Sequence, residues 1–223
     1  MSSPETRIQF GGQQLVLDAE GVLYWPAEKT LIASDLHFEK ATFLAQHGAL
    51  VPPYDTQDTL ARLEKLVAHY RPARLILLGD SFHDRNAWAR LDATLRTSIA
   101  SLVESVGECI WIEGNHDVAL AAHPLGALTG HVHLSGIHFA HDDSAASRPL
   151  IIGHYHPKAH ISLGARTASG KCFIHSETLL IMPSFGSYTG GLNVRHTAIR
   201  SLFAEQEPQV HLLYRSTVYR VPN

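Results

Sequence analysis

The sequence has little cysteine. Its two cysteines, Cys109 and Cys172, lie in separate apolar runs and form no close pair along the chain. This excludes a disulfide framework and a zinc site built on several thiolates. We expect both residues to be buried, reduced thiols.

Signals for a membrane or for export are also missing. The chain contains no run of about 18 or more apolar residues, which a membrane-spanning helix requires. Its start, Met1 to Glu5, lacks the basic and apolar regions of a signal peptide. We therefore expect a cytoplasmic protein.

The chain has no excess of positive charge. Its formal net charge is -3 at pH 7 with histidine neutral, which is not the composition of a protein that coats nucleic acid through a broad basic face. Any contact with DNA is therefore expected to be local. The 16 histidines make the charge more positive below neutral pH, and metal binding through imidazole weakens over the same range.

The apolar content is sufficient for one core, with helices early and strands late. The 223 residues are 45% hydrophobic and contain no linker or repeat, so a single domain is expected over 1–223. Amphipathic helices are predicted at Asp55 to Tyr70 and at Trp88 to Val106. Strands are predicted at 7–10, 15–17, 22–25, 132–134, 137–140, 150–152, 159–162, 171–174, 178–182, 197–203 and 210–214. The first three form a meander at a sheet edge. The predicted class is α/β, in the α+β sense, with a two-sheet β-sandwich flanked by helices.

Five short polar clusters each follow a short apolar run. They are D-L-H at 35–37, G-D-S-F-H-D at 79–84, G-N-H-D at 114–117, H-D at 141–142 and G-H-Y-H at 153–156. Each run predicts a buried strand, and groups at the carboxyl ends of neighbouring strands share one crevice. Imidazole, carboxylate and amide donors without cysteine suit manganese, iron or zinc, whereas magnesium favours more oxygen. The sequence therefore predicts a two-metal site.

The order and spacing of the clusters resemble the calcineurin-like metallophosphoesterase superfamily, whose pattern reads D-x-H, G-D, G-N-H-[DE], a lone H and G-H-x-H. The resemblance implies the calcineurin-like fold and two divalent metal ions. Mn²⁺ is the expected ion, and Fe²⁺, Zn²⁺ and Co²⁺ are the alternatives. It implies that one ion is held by Asp35, His37, Asp80 and His156, and the other by Asp80, Asn115, His141 and His154. Asp80 would bridge the two ions, as a carboxylate can between cations about 3.5–4 Å apart.

The lone histidine of the pattern has competitors. His131, His133 and His138 lie near His141 in the sequence. His141 is preferred because it ends an apolar run, where a ligand at the carboxyl end of a strand is expected. The other three are interpreted as surface or strand histidines.

Two histidines of the clusters are expected to act on the substrate. The ions would lower the pKa of a bridging water so that hydroxide attacks phosphorus in line. His116, next to the ligand Asn115, would face the leaving oxygen and stabilise or protonate it, and the alternative is a structural residue that begins a helix.

His83 stands where phosphoprotein phosphatases carry aspartate. Its cluster resembles that of the SbcD-type DNA repair nucleases, in which a histidine there assists phosphodiester cleavage. The alternative for His83 is a loop residue that orients a metal ligand.

Over residues 20 to 200 the chain most resembles the bacterial PdeM group, described as ligase-associated DNA damage response endonucleases. The resemblance is carried by D-L-H-F-E-K at 35–40, G-H-Y-H-P at 153–157 and P-S-F-G at 183–186. It implies a DNA substrate and a functional partnership with a DNA ligase and a helicase. Since a chain of this length has no room for a separate cap domain, incision of accessible single strands is expected rather than processive exonuclease action.

Basic and aromatic residues near the clusters are candidates for substrate contacts, and only one or two are expected to touch substrate. The foremost are Lys40, Arg85, Tyr155 and Lys158, followed by Arg148, Arg195, Phe185 and Tyr188.

Three functions from different classes stay open. The first is a metal-dependent phosphodiesterase that cuts DNA, favoured by His83 and the PdeM resemblance. The second is a small-molecule phosphoesterase for nucleotides or cyclic nucleotides, favoured by the low positive charge. The third is a metal-free scaffold, as in the retromer subunit that shares this fold, and the presence of every ligand type argues against it.

Overall fold

A computed structural model describes residues 4–49, 51–117, 125, 128–144, 147–163, 166–203 and 206–222. The described strands form two sheets that pack face to face, with helices on the outer faces. The predicted two-sheet sandwich flanked by helices is therefore confirmed.

The first sheet contains seven described strands that pair in chain order. They are β1 (Glu5–Phe10), β2 (Gln13–Asp18), β3 (Leu23–Trp25), β4 (Thr30–Ala33), β5 (Arg74–Leu78), β6 (Glu108–Ile112) and β7 (Leu128–Thr129). β1 to β4 form the predicted antiparallel meander, and Gly11 and Gly12, with φ of 54° and 76°, supply the left-handed turn between β1 and β2. From β4 to β7 the neighbours are parallel.

The second sheet contains eight described strands. They are β8 (His131–Leu134), β9 (Ile137–Ala140), β10 (Leu150–Ile152), β11 (Lys158–Leu163), β12 (Arg166–His175), β13 (Leu179–Ile181), β14 (Gln209–Leu213) and β15 (Val218–Val221). Their order is β15-β14-β12-β13-β10-β9-β8, and β11 pairs with β12. β9, β10 and β13 run parallel to one another.

Helices cover the outer faces of both sheets. The described helices are α1 (Lys40–Gln46), α2 (Asp55–Tyr70), α3 (Ala87–Arg90), α4 (Ala93–Ser105) and α5 (Thr197–Arg200), and a 3₁₀ turn at Ser201–Phe203 follows α5. α2 has the predicted bounds. It packs over the first sheet together with α4.

The alternation of side chains along the strands fixes these layers. On β5, Leu75 and Leu77 face the helices, whereas Ile76 and Leu78 face the second sheet. All four side chains are at most 1% exposed, and burial of each such side chain contributes about 1.5–3 kcal/mol. β5, the strand that precedes the second polar cluster, is therefore held in place by packing on both of its faces.

Two predictions of secondary structure were wrong. The helix predicted from Trp88 to Val106 is interrupted between α3 and α4, because the side chain of Asp92 accepts a 2.7 Å hydrogen bond from the amide of Leu95 and caps a new helix. The strand predicted at 197–203 is α5 and the 3₁₀ turn. Ile199 and Phe203 are four residues apart, so a helical turn places both on the second sheet.

Both cysteines are free thiols, as predicted, and Cys172 is buried. Cys109 is only half-buried, so the expected burial is confirmed for Cys172 alone. None of the described helices combines the length and the apolar character that a membrane-spanning helix requires.

Candidate functional site

The five polar clusters lie at the carboxyl ends of five strands, as predicted. Three follow β4, β5 and β6 of the first sheet, and two follow β9 and β10 of the second. Within each sheet these strands are parallel, so their ends lie at one edge. The clusters from both sheets meet there, which brings residues distant in sequence into one crevice.

The loops that carry the clusters have an unusual backbone. Asp35, His37, Asp80, His154 and His156 have φ of 53°, 49°, 48°, 64° and 46°. Residues other than glycine rarely adopt this left-handed region, which costs on the order of 1 kcal/mol or more per residue. Such strain concentrated at one crevice indicates that the loops are shaped for function.

Two glycines allow the clusters to approach one another. A Cβ atom on Gly114 would overlap the backbone nitrogen and carboxylate of Asp80. A Cβ atom on Gly153 would overlap the hydroxyl of Ser34 and the carboxylate of Asp35. Only glycine therefore fits at the start of the third and fifth clusters.

One group of donors joins Asp35, His37 and His156, whose ligand atoms lie within 4.8 Å of one another. His156 Nε2 lies 3.1 Å from Asp35 Oδ1 and 3.4 Å from His37 Nε2. Asp35 is fully buried, and the hydroxyl of Ser34 and the backbone N–H of His154 donate to its carboxylate.

A second group joins Asp80, His141 and His154, also within 4.8 Å. His141 Nε2 lies 3.0 Å from His154 Nδ1, 3.1 Å from Asn115 Oδ1 and 3.5 Å from Asp80 Oδ2. His141 Nδ1 lies 2.9 Å from the carbonyl of Leu78, an interaction that orients the ring when Nδ1 carries hydrogen.

Asp80 lies between the two groups. Its Oδ2 is 3.5 Å from His141 Nε2 and 3.8 Å from His37 Nε2. In each group two ring nitrogens face one another, and two nitrogens share at most one hydrogen, so a cation suits them as a common partner. Two carboxylates, four imidazoles and one amide thus fit two divalent cations.

The donors of the crevice have pKa values shifted from their usual range. Burial raises the pKa of Asp35, but the hydrogen bond to His156 and the nearby histidines outweigh it and hold the pKa below its usual value. Burial lowers the pKa of His37 to about 3, so this ring is neutral. Burial opposes a charge on His141, but its hydrogen bond to Asp80 and the charges of both carboxylates raise its pKa to about 9.

His116 and His83 lie beside the donor groups. The backbone N–H of His116 donates to Asp80 Oδ1 at 2.9 Å, while its side chain is 39% exposed and its Nε2 lies 3.9 Å from Asp80 Oδ2. His116 also forms a third group with His37 and Asp80 within 4.8 Å, so its geometry permits ligation as well. The ring of His83 is stacked on that of His116, with centroids 5.1 Å apart, and its Nδ1 lies 3.3 Å from His37 Nδ1.

Two residues that the sequence analysis left without a role support the site. Asp117 is buried and accepts hydrogen bonds from the backbone N–H groups of Ser81, Phe82 and Gly114, which ties the second cluster to the third. Burial raises its pKa to about 6. Ser34 donates to Asp35. Asp117 stands inside a cluster, which was a usable signal, whereas no sequence signal marked Ser34.

Among the foremost candidates for substrate contact, Lys40 begins α1 and lies close enough to Asp80 and Asp35 for their charges to act on it. Tyr155 donates its hydroxyl hydrogen to Asp143 at 2.8 Å. Lys158 lies 3.4 Å from the carbonyl of Thr189, and Arg85 is exposed on the loop after the second cluster.

The remaining candidates are less suitably placed. Phe185 was one of the weaker candidates for substrate contact, but it is fully buried beneath the guanidinium of Arg62, so this candidate was wrong. Tyr188 is 38% exposed and donates to the carbonyl of Pro52. Arg148 donates to the carbonyl of Leu202, and Arg195 is exposed near α5.

The three competitors of His141 lie on β8 and β9. His133 and His138 are paired across these strands with their rings stacked at 4.2 Å, and His131 is exposed on β8. Their positions are on the strands themselves, whereas His141 follows the end of β9 and contacts Asp80 and Asn115.

Comparison with known proteins agrees with this geometry. A family model described as calcineurin-like phosphoesterase matches residues 28–193. A search of curated protein sequences gives no significant match. Among solved structures, the chain is similar to the nuclease MPE of Pseudomonas putida, with 26% identity and a TM-score of 0.76 over 97% of this chain and 100% of that chain. It is also similar to YfcE, a phosphoesterase from E. coli, with 15% identity and a TM-score of 0.40 over 86% of this chain and 97% of that chain. The chain therefore belongs to the calcineurin-like phosphoesterase family, whose members are metal-dependent hydrolases.

Proposed function

We propose that this phosphoesterase is a manganese-dependent endonuclease that cuts single-stranded DNA during DNA repair. The observation that carries the proposal is the position of His83, whose ring packs against His37 and His116 at the edge of the donor groups. The similarity to a nuclease over nearly the whole chain supports the same reaction class.

The donor groups divide naturally between two cations. Asp35, His37 and His156 would hold one, His141, His154 and Asn115 the other, and Asp80 would contact both. Mixed imidazole and carboxylate donors favour manganese over magnesium. When bound, the cations would supply an activated water and offset the charge that develops on the phosphate.

His116 is suited to act on the leaving group. Its backbone is fixed by the hydrogen bond to Asp80, while its ring is 39% exposed on the open side of the crevice. A ring in this position can donate a proton to the departing oxygen of a phosphodiester.

His83 is suited to contact the scissile phosphate as a neutral ring. Burial, and after it the neighbouring Lys40 and His116, lower the pKa of His83 to about 4. A neutral imidazole can donate a hydrogen bond to a phosphate oxygen without repelling the cations, whereas the aspartate of the phosphatases would add negative charge. Lys40 adds positive charge on the same side.

A small-molecule phosphoesterase acting on nucleotides or cyclic nucleotides is the second candidate. The formal charge of -3 and the few basic side chains near the crevice favour a small substrate over a long polyanion. The partnership with a DNA ligase and a helicase, and a cytoplasmic location, are part of the proposal and rest on the family resemblance and on sequence composition.

A substrate panel separates the two candidates. Purified protein with Mn²⁺ is assayed against circular single-stranded DNA, duplex DNA, nucleotides, cyclic nucleotides and simple phosphomonoesters. We expect the single strand to be cut faster than the duplex and the monoesters to be poor substrates. His83→Ala should lower diester cleavage more than monoester cleavage. Efficient turnover of a nucleotide or cyclic nucleotide with intact circular DNA would replace the nuclease proposal with the small-molecule one.

A further inference from the structure

α1 presents one polar and aromatic stripe beside the crevice. Lys40 and Phe43 of α1, and His47 directly after its last residue, are spaced i, i+3 and i+7, so they lie along one side of the helix. His47 Nδ1 lies 2.8 Å from the carbonyl of Phe43. Phe43 is half-buried and His47 is exposed. Neither ring belongs to one of the five polar clusters.

The two rings continue a row that begins at the metal donors. The rings of His83 and His116 are stacked at 5.1 Å, and Phe43 meets His83 edge to face, with centroids 4.7 Å apart and planes at 79°. His47 then packs on Phe43 at 4.2 Å with an interplanar angle of 35°. The row therefore leads from the reacting centre to solvent.

Contacts from elsewhere in the chain hold α1 in place. Asp55 and Thr56, at the start of α2, accept hydrogen bonds from the backbone N–H groups of Ala41 and Glu39 at 3.0 and 2.8 Å. Arg90 donates to the hydroxyl of Thr42 at 3.1 Å. The stripe is thus a fixed surface, which lowers the entropy cost of binding a planar group.

We infer that Phe43 and His47 form a stacking subsite for an unpaired nucleobase next to the scissile phosphate, with Lys40 beside that phosphate. Every base has a π face, so such a subsite accepts any base provided that it is unpaired. A duplex keeps its bases stacked and paired, so the subsite would favour single strands without reading sequence. This inference rests on the proposed action on nucleic acid and locates its strand preference on α1.

The test compares a thymine oligonucleotide with the same strand carrying abasic residues on both sides of the cleaved phosphate. The wild-type enzyme with Mn²⁺ is expected to cut the abasic strand roughly tenfold less efficiently, the typical size of one stacking contact. Phe43→Ala should lose about the same factor on the full strand and nothing further on the abasic strand. Phe43→Trp should restore the preference, and His47→Ala should reduce it. Tyr219→Ala, which removes a 39% exposed aromatic ring from β15, serves as the matched control and should change neither rate.

The outcomes separate the subsite from a supporting role and from the proposed function. If Phe43→Ala lowers the cleavage rate equally on both strands, Phe43 only supports His83. If the wild-type enzyme cuts both strands at the same rate, no base is bound. Either result overturns the inference. If the wild-type enzyme cuts neither strand, the nuclease proposal fails. The same comparison is then made between thymidine 5′-(p-nitrophenyl phosphate) and methyl p-nitrophenyl phosphate. A base-dependent loss in Phe43→Ala upholds the subsite there, and a base-independent loss rejects it.

Discussion

Replacement of His116 by alanine tests whether this residue is an acid catalyst or a metal ligand. Alanine keeps the backbone N–H that donates to Asp80 Oδ1 at 2.9 Å, so the carboxylate between the two donor groups stays fixed. The lost side chain is 39% exposed and stacks on His83, and the loss of such a ring contact costs about 0.5–1.5 kcal/mol. We therefore expect a folded variant that binds both cations.

Its rate of diester hydrolysis should nevertheless fall by on the order of 10²-fold or more, equivalent to about 2.7 kcal/mol of transition-state stabilisation. The loss should depend on the leaving group. The alkoxide released from DNA needs a proton as it departs, whereas p-nitrophenolate leaves readily without one. His116→Ala should thus slow cleavage of DNA far more than cleavage of a p-nitrophenyl diester.

The assay combines metal analysis with the rates on both substrates, and His131→Ala, which removes an exposed histidine from β8, is the control. Reduced metal content in His116→Ala would identify His116 as a ligand, which its third donor group with His37 and Asp80 permits. Equal losses on both substrates would refute its role as proton donor.

Three further predictions concern the metal donors. Asp80→Ala should lose both cations and all activity. The activity of the wild-type protein should disappear when a chelator is added and should be restored best by Mn²⁺. Activity that survives in either experiment contradicts the two-metal account. Although burial opposes it, His141 has a pKa raised to about 9 by Asp80 and Asp35, so below that pH a cation must displace its proton. Metal affinity should consequently fall as the pH falls below about 9, with proton release visible by calorimetry in buffers of different ionisation enthalpy. Gly153→Ala should weaken metal binding at Asp35 because its Cβ overlaps Ser34 and Asp35, whereas Gly130→Ala, with open space around its Cβ, should bind normally.

The sequence predicted the location of the site because strand ends are a local property. The apolar residues of β4, β5 and β10 are buried on both faces, so the polar cluster after each lies at the end of its strand, and Asp35, Asp80 and His154 were placed correctly there. The clusters lie in one crevice because the strands before them are parallel. Runs of branched apolar residues are typical of parallel strands.

Features that depend on distant contacts escaped prediction. α1 has no side-chain cap at its start, where Glu39 has φ of 65°, and it is held by Asp55 and Arg90 instead. Phe185 looked available on a loop, yet Arg62 covers its ring. The support that Asp117 gives to two clusters likewise appears only when the strands are assembled.

The most direct test of the central claim is the conversion of circular single-stranded DNA to linear DNA, since only an internal cut can produce it. Metal-stripped protein should leave the circle intact, and added Mn²⁺ should yield linear strands at a rate that falls sharply in His83→Ala. Circles that stay closed with Mn²⁺, under conditions in which the same preparation hydrolyses a nucleotide diester, would contradict the account.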